Sequence, residues 1–198
     1  STKDKPALLL LHGYLSNKES FNVIRPKLSR SFSLFSFDFK GFGENREMEY
    51  PYSLSDYANE VVGFCKSNGL TRPFVLAHSF GARVVFKIAE KSPDFFSKIV
   101  LIGPAGLKPR FSLKKAVKKL SFSVLKRFVK REKLSAFYAK DYIGLSPVMK
   151  KSFVLVTREN LDENVKKISV PTLIIVGKKD KETPVYMGRR LKKMIKNS

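Results

Sequence analysis

The chain has 198 residues, 43% of them hydrophobic, and a formal net charge of +22. That length fits one domain with a real core, and no run of eighteen apolar residues is present to cross a membrane. The opening Ser-Thr-Lys-Asp-Lys-Pro lacks the apolar stretch of a secretory leader, and one cysteine, Cys65, excludes an internal disulfide, so the expected compartment is the cytoplasm.

The charge leaves two readings open. It could serve an anionic partner such as nucleic acid, a membrane surface or an acidic substrate. It could also be a lysine-rich bias spread over the surface. Lysine greatly outnumbers arginine, whereas phosphate recognition favours the arginine fork, and outside one segment the charge is scattered. The second reading is preferred.

Ala7 to Leu11 is a five-residue apolar run, a strand buried on both faces, and it leads into His12-Gly13-Tyr14. Ser16 and Glu19 have the spacing of a capping box, which predicts a helix to about Leu28 with Phe21, Ile24 and Leu28 inward. Phe32 to Phe39 reads as the second strand, ending in Phe37-Asp38-Phe39-Lys40-Gly41-Phe42-Gly43; Asp38 is expected to staple that loop. Ser53 with Asp56 opens a helical stripe of Leu54, Tyr57, Ala58, Val61, Phe64 and Cys65, stopped by Gly69. Cys65 on that face reads as a buried thiol.

Phe74 to Ala77 is the third strand, and from Phe80 to Lys91 the spacing turns helical, with Val84, Val85, Ile88 and Ala89 on one face. Ser79 sits between them, flanked two residues away by Ala77 and Gly81. A serine on a sharp strand-to-helix turn is pushed out above the sheet on a strained backbone, and small neighbours let the turn close. The pattern is G-x-S-x-G with Ala in first place. Taken alone it fits an ordinary strand-turn-helix equally well.

Ile99 to Ile102 and Thr172 to Val176 complete five strands. Gly177-Lys178-Lys179-Asp180 follows the last, and then a helix from Tyr186 to Ile195. Strands alternating with helices predict a parallel sheet with right-handed crossovers. One insertion breaks the alternation. Leu113, Val117, Leu120, Val124 and Phe128 recur at helical spacing, and Phe153, Val156 and Leu161 do so loosely. The expected organisation is a core of 1–106 and 168–198 with a helical cap of 107–167 between the fourth and fifth strands. Lys108 to Lys133 holds eleven Lys or Arg against one acid, Glu132. This segment could meet an anionic lipid or substrate, or be a cap helix with solvated charges; the latter is preferred. No stacking-aromatic pattern accompanies it, so no specific nucleic-acid role is expected.

The order of motifs is itself specific: a strand then His12-Gly13; a strand then Asp38-x-x-Gly41-x-Gly43; a strand then Ala77-x-Ser79-x-Gly81; and, after the insertion, a strand then Gly177-x-x-Asp180. The whole chain closely resembles the α/β-hydrolase superfamily, in its single-domain bacterial esterase-like branch with a helical lid. The resemblance implies an α/β fold with the strand order second, first, third, fourth, fifth. It implies Ser79 as nucleophile, with the oxyanion hole made by the backbone N–H groups of Tyr14 and Phe80. Asp180 would orient a catalytic histidine. Ala77, His78 and Gly81 would form the elbow, and His12 and Gly13 the oxyanion loop. No cofactor and no metal is called for.

Two departures from the family stand out. The family begins with an antiparallel strand pair, and only six residues precede Ala7. It ends with a further strand, a histidine-bearing loop and a helix, and the two histidines here, His12 and His78, are already placed. The expectation is a serine hydrolase for a carboxylic ester or related acyl substrate, nearly inert as this polypeptide because its base lies in a missing C-terminal piece. The alternative is a non-catalytic hydrolase-fold protein that binds a ligand or partner. Without the missing strands, Phe32–Phe39 and Thr172–Val176 should be open sheet edges that promote self-association.

Overall fold

The computed structural model describes residues 5–108 and 145–198. Five strands, β1 (Ala7–Leu11), β2 (Ser33–Ser36), β3 (Phe74–His78), β4 (Lys98–Ile102) and β5 (Thr172–Ile175), form one sheet in the order β2-β1-β3-β4-β5. Every pairing is parallel. The fold class and strand order are those the family resemblance implies. β2 is shorter than the apolar run suggested, because Phe37 to Phe39 leave the sheet to begin the loop.

β1 explains why its residues are uniformly apolar. Leu9 and Leu11 face one core layer with Val75, Ala77, Ile99 and Leu101. Leu8 and Leu10 face the other, with Leu76 and Phe21. Each fully buried leucine contributes about 1.5–3 kcal/mol by leaving water. The first layer is closed by α2 (Leu54–Ser67) and α3 (Phe80–Ala89). Ser53 caps α2 in a reciprocal capping box with Asp56, as expected, and Cys65 is buried within this layer.

The helix expected from Ser16 to Leu28 does not form as one piece. Asn17, not Ser16, is the N-cap, accepting the Glu19 N–H at 3.0 Å. A single 3-10 turn (Lys18–Phe21) follows, and then a four-residue α1 (Arg25–Leu28) with Pro26 in its first turn. Proline lacks the N–H that would join the two pieces.

Of the insertion, α4 (Pro147–Arg158) and α5 (Asp162–Lys166) are described. The basic helix read at Lys108 to Lys133 lies outside the described residues, apart from Lys108. The last helix, α6 (Val185–Met194), packs on β5 where Gly188 meets the Val176 side chain. Among the described residues β2 and β5 are the sheet edges. The β5 edge is partly covered: the Thr172 N–H donates to Asn197 O at 2.8 Å. Leu173 and Ile175 on β5 are exposed.

Candidate active site

In a parallel sheet all strands point the same way, so the loops after β1, β3, β4 and β5 gather at the carboxyl end. There the chain carries His12 to Ser16, Ser79, Gly103 to Gly106 and Gly177 to Asp180.

Ser79 joins β3 to α3 directly, with φ 47° and ψ −102°. This is a conformation L-residues avoid, and a non-glycine residue holds it only where its surroundings enforce it. The enforcement is visible. The Ser79 N–H donates to Ile102 O at 3.0 Å, and its carbonyl accepts from Ala82 N and Ala105 N, each at 3.2 Å. Gly81 explains the small residue after the serine: a Cβ there would lie 2.5 Å from Leu11 O. The start of α3 therefore rests on the β1 backbone. Ser79 itself is half-buried.

The loop after β1 turns at Gly13 to Ser16, closed by Ser16 N–H to Gly13 O at 3.2 Å. A Cβ on Gly13 would lie 3.6 Å from Ser79 Cβ and 2.8 Å from His78 Nδ1, so the absence of a side chain there lets this turn close against the elbow. The turn's bond uses neither hydrogen-bonding group of Tyr14, and Phe80, as the first residue of α3, has no N–H partner within the helix. The Tyr14 ring packs edge-on against Phe42, Phe80 and Phe153 at centroid distances of 4.8, 5.4 and 5.2 Å. Its hydroxyl donates to Met149 O at 3.4 Å. Two residues of α4 thus lie over the turn.

His12 is fully buried. Its Nε2 accepts the Phe39 N–H at 3.1 Å, so Nδ1 carries the proton and donates to Gly13 O at 2.8 Å. Burial holds its pKa below the ordinary value despite the Gly13 carbonyl and Asp38. His78 lies at the end of β3 with its ring against Gly13. The residue is exposed as a whole; partial desolvation of its ring lowers its pKa, and the Asp180 carboxylate works in the other direction.

Asp180 stands beside the end of β4, where a Cβ on Gly103 would lie 3.5 Å from its Oδ2. Its Oδ1 accepts the N–H groups of Glu182 and Thr183 at 2.8 and 2.9 Å, and its Oδ2 accepts the Thr183 hydroxyl at 2.7 Å. The Thr183 hydroxyl and N–H lead in holding its pKa below the usual carboxylate range. Asp38 staples its loop, accepting Lys18 N–H at 2.6 Å and Glu44 N–H at 3.0 Å. Burial opposes its charge, but these N–H groups outweigh it and keep its pKa low.

The α/β hydrolase fold family model matches residues 6–130. The chain belongs to the α/β hydrolase fold family. Among its relatives, "Uncharacterized hydrolase YugF" of Bacillus subtilis (strain 168) is 24% identical over 223 residues, covering 98% of this chain and 80% of that protein. The "2-(acetamidomethylene)succinate hydrolase" of Mesorhizobium japonicum is 31% identical over 97 residues, 49% of this chain and 35% of its own length. The chain thus spans about a third of that relative. An esterase from Exiguobacterium antarcticum superimposes with a TM-score of 0.75 at 20% identity, over 98% of this chain and 81% of the esterase. The enol-lactonase of Burkholderia xenovorans LB400 does so with a TM-score of 0.71 at 20% identity, over 97% and 80%.

Sequence reasoning missed two parts of the site. Met149 and Phe153 had no motif to mark them, and their approach to Tyr14 depends on where α4 lands. Thr183 is three residues past Asp180, and the Asp-x-x-Thr spacing was the signal that could have found it.

Proposed function

We propose that this α/β hydrolase is a serine hydrolase for a carboxylic ester or related acyl substrate. The observation that carries the proposal is Ser79 on its strained elbow, against the Gly13 turn. Ser79 Oγ attacks the acyl carbon, its proton passes to a base, and the alcohol leaves with that proton. Water then cleaves the acyl-enzyme by the same route. The N–H groups of Tyr14 and Phe80 receive the oxyanion, where charge develops only in the transition state. Asp180, already fixed by Thr183 and Glu182, orients the base. Of the proposed cap, 107–167, the part from 109 to 144 lies outside the described residues; α4 lies over the Gly13 turn through Met149 and Phe153.

The base is not His12, whose two nitrogens are both committed to the backbone, and His78 is assigned to the elbow. The imidazole is therefore assigned to a group outside these 198 residues. Losing one member of such a triad costs on the order of a millionfold in kcat, with roughly a thousandfold over water retained. This polypeptide should be nearly inert toward p-nitrophenyl esters and label poorly with fluorophosphonates.

The test is chemical rescue. Free imidazole should accelerate p-nitrophenyl acetate hydrolysis by the wild-type chain beyond the reaction of imidazole with the ester alone. Ser79→Ala should remove the increment and Asp180→Asn should reduce it. Ordinary enzymatic turnover without imidazole, lost in Ser79→Ala, would show that a base is present. His12→Ala and His78→Ala would identify it.

A second reading, a non-catalytic binding protein on the same fold, is favoured by the commitment of His12 to structure. An imidazole increment that depends on Ser79 separates the two. Under either reading the surroundings are expected to be cytoplasmic and binding to nucleic acid unspecific. Contact with anionic surfaces should be weak and weaken further with salt. The edges at β2 and β5 favour self-association.

A further inference from the structure

Among the described residues three non-glycine positions have positive φ: Leu15 (56°), Arg72 (47°) and Ser79 (47°). Two of the three lie on the turns that meet at Gly13. Ser79 is the elbow. Leu15 is the third residue of the Gly13 to Ser16 turn, the position where a left-handed backbone normally selects glycine or asparagine. Leucine there is strained. The usual compensation, core packing, accounts for only part of this: the residue is 49% exposed and belongs to neither core layer. Glycine would close the turn without strain, so the strain serves to hold an apolar side chain outside the core, one residue past the Tyr14 N–H. Its neighbour in the chain, Tyr14, packs its ring against Phe80 and Phe153.

We infer that Leu15 is a specificity-determining residue, the apolar lip that meets the alkyl group carried by the acyl carbon. The inference rests on the proposed role of Ser79 and Tyr14. A carbonyl oxygen held by the Tyr14 N–H puts the acyl carbon within one residue of Leu15. The first carbons of its alkyl substituent then lie against the leucine, and longer substituents bury more of it. The residue acts on chain-length selectivity; nucleophilic attack does not need it.

The test uses the 198-residue chain and straight-chain alkylboronic acids of two, four and eight carbons. Each is a neutral probe whose boron accepts an electron pair from Ser79 Oγ, forming a B–O bond as the hydroxyl proton is released to solvent. For the wild-type chain, affinity measured by titration calorimetry should rise with length, by up to about fourfold per methylene buried. Leu15→Gly and Leu15→Asn should flatten that dependence, and Leu15→Met should retain it. Both flattening variants accept positive φ readily, so they should melt at the wild-type temperature or above. An unchanged length dependence in Leu15→Gly and Leu15→Asn overturns the inference. So does a fall of several degrees in their melting temperature, which would make Leu15 a packing residue. If Ser79→Ala binds the series as well as wild type, or if no boronate binds even with free imidazole supplied in place of the absent base, the Ser79 reading fails and this inference with it.

Discussion

His12 accepts the backbone N–H of Phe39 at 3.1 Å, tying the end of β1 to the loop that leaves β2. The bond requires Nε2 to be unprotonated, so the imidazole must stay neutral. Asp38 faces it and favours the charged form, His78 faces it and disfavours it, and burial decides for neutral. The unfolded chain therefore takes up this proton at a higher pH than the folded one. Stability from His12 is fully present above about pH 6.5, the ordinary histidine value, and is lost as pH falls below it. His12→Gln keeps an acceptor without the titration and should blunt this loss in thermal denaturation between pH 7 and 5. His12→Leu strands the buried Phe39 N–H and should cost about 1–3 kcal/mol at pH 7.5.

Glu60 has the opposite sign. It lies on α2, accepting Lys40 N–H at 3.1 Å and the Asn45 amide at 3.3 Å. Burial pushes its pKa up to about 7, against the pull of the Lys40 N–H. Tyr52 and Tyr57 lie close enough to feel its charge. The folded state holds this proton longer than the unfolded chain does, so stability falls as pH rises from about 4.5 to 7. Glu60→Gln should abolish that slope and melt higher than wild type at pH 8. A melting temperature at pH 8 below wild type would mean that the ionised carboxylate is the better partner for the loop.

Gly81→Ala places a methyl group against the Leu11 carbonyl, which belongs to the central part of the sheet and cannot move aside. Denaturant titration should show a loss of about 1–3 kcal/mol, the usual range for overpacking. Gly63, whose Cβ would meet nothing within 4 Å, is the control. As an interior position of α2, Gly63→Ala should stabilise by about 0.5–1 kcal/mol.

Arg83 reaches from α3 to α4. Its Nη2 donates to Val156 O and, at 2.7 Å, to Glu159 O, the carbonyls at the end of that helix. Burial lowers its pKa to about 10, with Glu159 opposing, and the cation suits a helix C-terminus. Arg83→Met leaves these carbonyls without their donor and should cost about 1–3 kcal/mol. Amide exchange should rise in α4 before it rises in β1 or β3. Uniform exchange across the sheet would show that α4 does not depend on Arg83.

The strands were legible because β1, β3 and β4 are short apolar runs with no helical alternative, and their order was what the resemblance to the family implied. The strained turn at Ser79 was legible because a serine between a strand and a helix needs a small neighbour, and Gly81 against Leu11 O shows the reason. The region from Ser16 to Leu28 was misread because two local signals compete there. Asn17 takes the cap from Ser16, and Pro26 interrupts the continuation. The commitment of both His12 nitrogens and the approach of Phe153 to Tyr14 depend on elements distant in sequence or on loop geometry. No periodicity encodes them.

β1 lies between partners that are synthesised long after it: Leu8 pairs with Leu34 on one side and with Phe74 on the other. A chain emerging from the ribosome therefore carries five consecutive apolar residues that cannot be covered on both sides until β3 is out. Closing such distant pairs is entropically slow. Refolding from denaturant should accordingly be limited by the β1–β3 contact and grow less efficient as protein concentration rises. The strand that anchors the finished sheet is the segment most exposed to wrong partners while the sheet is being made.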